Sequence, residues 1–302
     1  MRKDFFENAV LVGTGRIAHS IAAAMKKAGI TPTHILSRSE TKAEKFAGKF
    51  GIKHVLTADS IFPQGLSLYI IAVSDDAIMP VSGVLAEKFS DFSSTVFSHL
   101  SGSYPASQLS ALHEKGAHTA SLHIMQTFPD TTPVPVHGLR AIIETESDYA
   151  YGKLNELAEL LSLIRYRLNA DQKTLYHITG IFISNFLVGN MHSAERIFEK
   201  TGLSRQELYD IFTPILMTTV RNLLQKGSVE SLSGPLERGD VQVIQKHMEV
   251  LGKEFEGEPD LLQSYLSQSA GLTRTAAQKN PEKKDIYVLL RKLIEEKSSG
   301  RE

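Results

Sequence analysis

The chain has 302 residues, 42% hydrophobic and 22% charged, with a formal net charge of −1. This is a soluble globular composition with length for two domains, and the near-zero charge gives no global field favouring nucleic acid or an anionic membrane. There are no cysteines, which excludes disulfides, thiolate nucleophiles and Cys-ligated zinc or iron–sulfur centres.

The opening octapeptide, Met1 to Asn8, leads straight into a strand with no apolar signal core. No uncharged apolar run reaches the ~18 residues of a membrane span, so a cytoplasmic protein is expected. Ala9–Val12 reads as a strand and Arg16–Lys27 as a helix, and the turn between them is the most informative stretch. Gly13, Gly15 and Ala18 form Gly-x-Gly-x-x-Ala, a variant of the dinucleotide fingerprint. Gly13 allows the tight turn, Gly15 lets backbone approach a pyrophosphate, and Ala18 lets the helix pack close to the sheet. Gly13, Thr14, Gly15, Arg16, Ile17 and Ala18 are therefore candidate cofactor residues, the alternative being an ordinary tight βα turn.

His34–Leu36 is a second strand and leads into Ser37, Arg38 and Ser39. No acid stands at this strand end to bond a ribose 2′-hydroxyl. Two hydroxyls and a guanidinium suit a 2′-phosphate, so NADP(H) is expected over NAD(H). A solvated arginine with Ser37 or Ser39 capping the next helix is the plainer reading, and the two can coexist. Glu40–Phe50 reads as helix and Lys53–Val55 as a short strand. Leu68–Val73 is a continuous apolar run, as for a strand buried on both faces. Val73 and Ser74 follow as candidate cofactor contacts, with Asp75 or Asp76 as caps of helix Ile78–Lys88. Thr95–His99 reads as strand, Pro105–His113 as helix and His118–Leu122 as strand. This alternation predicts a doubly wound parallel sheet, extended by Leu139–Ile143. An amphipathic segment, Asp148–Leu163, and an edge strand, Arg165–Leu168, complete it.

Ligands of such folds bind at the carboxyl ends of strands. Ser101 lies there after the fifth strand, as a substrate contact or a helix cap. His123 follows the sixth strand, as a proton donor with an ordinary pKa near 6.5 or as a structural histidine.

From Ala170 onward the β signal disappears. Ala170–Lys200, Arg205–Lys226, Val241–Phe255, Pro259–Lys279 and Lys283–Glu296 read as helices, so the domains are expected at 1–168 and 169–302. The tail Glu295–Glu302 is expected to fray. Helix 170–200 carries apolar residues on every face, which predicts burial all round and a homodimer through the helical domain. His177 and Ser184, seven apart, are expected on one helix face. Asn185, in an apolar run, is expected to be buried and to bond substrate and cofactor or a neighbouring helix. Arg238 is a candidate clamp for an anionic substrate or an ion-pair partner of the fold, and Asp240 a helix cap.

Taken together these segments resemble one family, the Rossmann-plus-helical proteins known as domain of unknown function 2520. It lies within a wider group holding pyrroline-5-carboxylate reductases, deazaflavin-dependent NADP oxidoreductases and 6-phosphogluconate dehydrogenases. The resemblance is carried by Gly13-x-Gly15-x-x-Ala18, Ser101-Gly102 through Leu112 and Gly116 to Ser121-Leu122-His123, Thr127-Phe128, Ser184-Asn185-Phe186, and Gly234-Pro235 through Arg238-Gly239-Asp240. It implies an N-terminal NADP domain, a C-terminal helical dimerisation domain and an active site between them. Two departures stand out. Relatives commonly show His-Pro where this chain has His123-Ile124, so a less rigid loop is expected. The hydroxyacid dehydrogenases of the wider group carry a lysine four residues before the active-site asparagine, and counting back from Asn185 gives Ile181. The imine-reductase branch, which lacks that lysine, is the nearer analogue.

The resulting expectation is an NADPH-dependent reductase of a small polar imine or carbonyl. His123, Ser101 or Ser184 would supply the proton, Asn185 would orient the reactants, and His177 and Arg238 would bind substrate. No metal, nucleic acid or membrane takes part. The alternative is a non-catalytic NADP(H)-binding sensor or scaffold.

Overall fold

The structure is a computed structural model and describes residues 4–88 and 92–300. Eight strands form one sheet: β1 (Ala9–Val12), β2 (His34–Leu36), β3 (His54–Leu56), β4 (Leu68–Ile71), β5 (Val96–His99), β6 (His118–Ile124), β7 (Arg140–Glu144) and β8 (Ile164–Arg167). Their spatial order is β3-β2-β1-β4-β5-β6-β7-β8. All neighbours pair in parallel except β6 and β7. The fold is thus α/β and doubly wound, with its order reversing between β1 and β4, where open sheets of this kind leave a crevice.

Alternation along the strands builds a core on each face. Leu11, Leu68, Ile70 and Val96 pack with Ile21 and Met25 of helix Arg16–Lys27 and with Leu154 and Leu157 of helix Asp148–Leu160. Val10, Val12, Tyr69, Ile71 and Phe97 point the other way, against Ile78 and Leu85 of helix Asp75–Ala86. Each fully buried aliphatic contributes roughly 1.5–3 kcal/mol of transfer free energy.

The contacts divide the chain into two compact units, Met1–Phe186 and Leu187–Glu302. The helical character does begin at Ala170, but helix Ala170–Gly180 clusters with the sheet, because its Lys173, Tyr176 and His177 bond to residues of the strands and their loops. The second unit packs Ile244, Met248, Leu266, Tyr287, Leu290 and Ile294 together. It draws these from helices Val241–Glu254, Pro259–Lys279 and Lys284–Ser298. Its longest helix, Arg205–Ser231, is kinked at Gly227. The tail is helical to Ser298 rather than frayed, and Arg301 and Glu302 lie outside the described residues.

Two local expectations are corrected. Segment Pro105–His113 is a 3-10 turn, Ala106–Leu109, followed by one helical turn, Ser110–His113. Segment Ala170–Lys200 is not one uniform helix. A π turn at Ile181–Asn185 separates Ala170–Gly180 from Phe186–Glu199. Within the chain its apolar residues are not covered: Leu175, Ile178, Phe182, Ile183, Phe186 and Val188 are all exposed.

Candidate functional site

The groove at the switch point begins with Gly13, at φ +100, where an added Cβ would lie 2.5 Å from the Ala72 carbonyl oxygen. Only glycine fits. Gly15 is different: its Cβ would meet nothing closer than 3.7 Å, so the protein itself does not demand a glycine there. Gly15 is also the N-cap of helix Arg16–Lys27 and supplies no side-chain cap. The first-turn N–H groups are left for a ligand, and a helix N-terminus favours an anion. The groove encloses about 1550 Å³ and is lined by Gly13, Thr14, Gly15, Arg16, Ile17, Ser37, Arg38, Ser39, Val73 and Ser74. Ala18 is absent from this lining and is fully buried in the core, as close helix–sheet packing requires.

The strand-end positions 37–39 hold both roles read from them. Ser39 accepts from the Lys42 N–H as N-cap, and the Ser37 hydroxyl accepts from the Ser39 N–H. Lys42, Lys45 and Lys49 also line the groove, at i, i+3 and i+7 on one helix face. Among the described residues no carboxylate pairs with Arg38, Lys42 or Lys45. Asp75 and Asp76 occupy the first turn of their helix, and the N-cap position is Ser74.

A second polar cluster sits at the carboxyl ends of β5 and β6. The sheet places β4 beside β5, and the Leu100 N–H donates to the Ile71 carbonyl at 3.2 Å. The loop after β5 therefore begins next to the Ser74 end of the groove. Gly102 is its pivot. A Cβ there would lie 2.7 Å from Nε2 of His123 and 2.8 Å from Nδ1 of His177. The missing side chain lets two imidazole nitrogens converge. Each ring is held from its other nitrogen: His123 Nδ1 shares a 3.1 Å hydrogen bond with the Tyr176 hydroxyl, and His177 Nε2 shares one of 3.0 Å with Ser103.

Beneath this loop lies Lys173, 1% exposed. Its ammonium donates to the Tyr104 carbonyl and the Ser121 hydroxyl and lies 3.9 Å from Glu144. Burial lowers its pKa to about 8, against the opposing pull of Glu144 and Asp75. Burial raises the Glu144 carboxyl, which the Ala106 N–H and Lys173 partly offset. His123 is pushed down to about 4, first by burial and then by the charges of Lys173 and His177. His99, fully buried, falls to about 3 for the same leading reason. This corrects the expectation of an ordinary histidine acid: His123 is uncharged at neutral pH. The Tyr176 hydroxyl is raised to about 12 by burial.

The remaining candidates are placed as follows. The Ser101 hydroxyl accepts from the Ser103 and Tyr104 N–H groups, so it shapes the turn. The π turn at 181–185 interrupts the regular phase between His177 and Ser184. Asn185 is exposed rather than buried. Arg238 belongs to the second unit, where it pairs with Asp240 at 2.8 Å. Asp240 thus spends its carboxylate on Arg238 and makes no side-chain cap. Lys173, Tyr176 and Glu144 were not anticipated. The signal was present: Lys173, Tyr176 and His177 recur at i, i+3 and i+4, the spacing of one helix face.

An uncapped helix N-terminus behind an obligatory glycine, at the switch point of a doubly wound sheet, defines a dinucleotide-binding Rossmann protein. Residues 8–91 match the family described as NADP oxidoreductase coenzyme F420-dependent, and residues 140–271 match the domain of unknown function DUF2520. Both matches agree with the resemblance to Rossmann-like NADP oxidoreductases of unknown function. No curated protein matches it. Among solved structures, it resembles a Bacteroides fragilis protein assigned as an NADP oxidoreductase, with 24% identity, a TM-score of 0.70, and coverage of 87% of this chain and 96% of that one. A Thermotoga maritima protein gives 24% identity and a TM-score of 0.70, covering 90% and 99%. An imine reductase from Myxococcus stipitatus in complex with NADP+ gives 14% identity and a TM-score of 0.63, covering 88% and 94%. These likenesses establish the fold. Among the described residues no helix is long and apolar enough to cross a membrane, and no cluster of three or more metal-ligating side chains occurs.

Proposed function

We propose that the protein is an NADPH-dependent reductase of a small polar imine or carbonyl. One observation carries this reading: two imidazole nitrogens converge over Gly102 at the end of β5, the strand beside the one that closes the dinucleotide groove. The Gly13–Gly15 turn and the bare helix N-terminus suit a pyrophosphate. Ser37, Arg38 and Ser39, extended by Lys42 and Lys45, suit a 2′-phosphate. The reduced nicotinamide would supply a hydride when bound. The chain's own part is to position the substrate and manage a proton. His123 contributes Nε2 as a directional hydrogen-bonding group, and Tyr176 stands behind it as the proton source. Ser103 fixes the ring of His177. The role read for Ser101 then reduces to shaping the turn, and Arg238 keeps its partner Asp240.

The exposed Phe182, Phe186, Leu187 and Val188 support a homodimer that covers them, since contiguous exposed apolar surface marks an interface. The reading is tested by following NADPH oxidation with a panel of carbonyls and imines. Turnover by the wild type that is lost in Gly102→Ala, with NADPH affinity retained, supports it. Equal turnover by Gly102→Ala removes this cluster from the reaction.

A further inference from the structure

Charge is spread unevenly along this chain. Residues 9–53 hold eight lysines and arginines against two glutamates, an excess of six positive charges in a protein whose net charge is −1. Five of these cations, Arg16, Arg38, Lys42, Lys45 and Lys49, line the switch-point groove, and Asp76 is the one carboxylate in its lining among the described residues. Among those residues none of the five makes an ion pair. Asp130 lies in the field of Arg16, but its carboxylate accepts from the Thr132 N–H.

Helix Glu40–Phe50 gains nothing for itself from this arrangement. Lys42 stands in its first turn, where the helix dipole disfavours a cation. Lys42 and Lys45 are three apart and Lys45 and Lys49 four apart, the spacings at which like charges repel. Glu40 and Glu44 stand at neither spacing from any of the three. Lys26 and Lys27 differ: they end their own helix, where the dipole favours them without a ligand. Lys49 is about 10 Å along the helix axis from Lys42, and its ammonium rests 5.4 Å over the Phe50 ring. A phosphate held by Arg38 and Lys42 is therefore beyond its hydrogen-bonding reach, yet inside its field at low salt.

We infer that the row Arg38, Lys42, Lys45 and Lys49 is a capture track: it selects NADPH over NADH while the nucleotide approaches, and Lys49 acts on the association rate and not on the bound state. This deepens the reductase reading and rests on its cofactor. The groove lining carries five positive charges and one negative, an excess of four. The pyrophosphate and 2′-phosphate of NADPH bring roughly four negative charges, and NADH brings roughly two. NADPH thus balances the groove and NADH leaves half of its charge unmet. A cleft lined by one sign of charge raises association rates about 10- to 1,000-fold, and each cation contributes in proportion to the charge of the ligand.

The test is stopped-flow binding of NADPH and, separately, NADH to the full-length protein. It is run at about 10 mM and about 150 mM ionic strength, where charges are screened beyond about 30 Å and about 8 Å. At the lower salt Lys49→Gln is expected to slow NADPH association about threefold and Lys49→Glu about tenfold, and at the higher salt Lys49→Glu about twofold. For NADH at the lower salt Lys49→Glu is expected to cost about threefold, as half the ligand charge requires. Dissociation rates stay within about twofold, and Lys49→Arg keeps the wild-type association rate, because only the charge acts at this range. A loss graded with charge and confined to association is not what a merely structural lysine would give. Effects that appear in dissociation, that are equal for the two nucleotides, or that persist undiminished at the higher salt overturn the inference and leave an NADPH-binding protein. A wild type that binds neither nucleotide refutes the reductase reading, and the inference falls with it.

Discussion

Lys173→Met is the most informative perturbation of this molecule. The side chain is 1% exposed and holds three partners: the Tyr104 carbonyl, the Ser121 hydroxyl and the Glu144 carboxylate. Removing one member of a buried ion pair costs about 3–5 kcal/mol. Here the loss should fall at the low end, about 3 kcal/mol near neutral pH, because Glu144 keeps the Ala106 N–H and its raised pKa lets it take up a proton. The pH dependence is the sharper signature. The native value of Lys173 is about 8 against an ordinary 10.5. Across that window the unfolded chain holds a proton that the native one has released, so stability rises with pH. The whole window is worth about 3 kcal/mol, and about 2 kcal/mol of it falls between roughly pH 7.5 and 9.5. Methionine cannot contribute this gain, so the gap between wild type and variant should widen with pH. Urea unfolding of both proteins at the two ends of that range measures it. A gap that stays constant, or narrows, refutes the assignment of a depressed, buried ammonium.

Four further outcomes follow from the same structure. Gly102→Ala places a Cβ 2.7 Å from Nε2 of His123; overpacking of about 1–3 kcal/mol should lower the denaturation midpoint and abolish turnover while sparing NADPH binding. His123 holds off its proton until about pH 4 whereas an unfolded histidine binds one near 6.5. Its contribution to stability is present above 6.5 and declines by about 3 kcal/mol as pH falls through that window, so His123→Gln should flatten acid unfolding followed by circular dichroism. Arg38→Ala should weaken NADPH about tenfold or more, the cost of one charge-assisted phosphate contact, and leave NADH unchanged, as read by calorimetry. Phe186→Asp places a charge in the exposed apolar face and should convert a dimer to a monomer by light scattering; a monomeric wild type would sink the dimer.

The groove was legible because its determinants are local. Gly13 answers to a single backbone angle and one carbonyl, and the Ser37–Ser39 turn follows directly from β2. The β strands were legible where apolar runs such as Leu68–Ile71 are buried on both faces. The histidine–lysine cluster was hidden because helix Ala170–Gly180 reverses the usual amphipathic rule. Its sheet-facing positions carry Lys173, Tyr176 and His177, while Leu175 and Ile178 face outward. Hydrophobicity therefore pointed away from the site. Ile181 stands four residues before Asn185, and the buried lysine of this helix is Lys173, four residues before His177. The lowered pKa of His123 was likewise invisible, since it comes from burial and from a cation fifty residues along the chain.

The proposed function requires that the groove hold NADPH through its 2′-phosphate. Fluorescence titration of the purified protein with NADPH and, separately, NADH tests it most directly. Tight NADPH binding, with NADH weaker by about tenfold or more, is the predicted result. Equal affinity for the two would contradict the Ser37–Arg38–Ser39 assignment, and failure to bind either would contradict the oxidoreductase account itself.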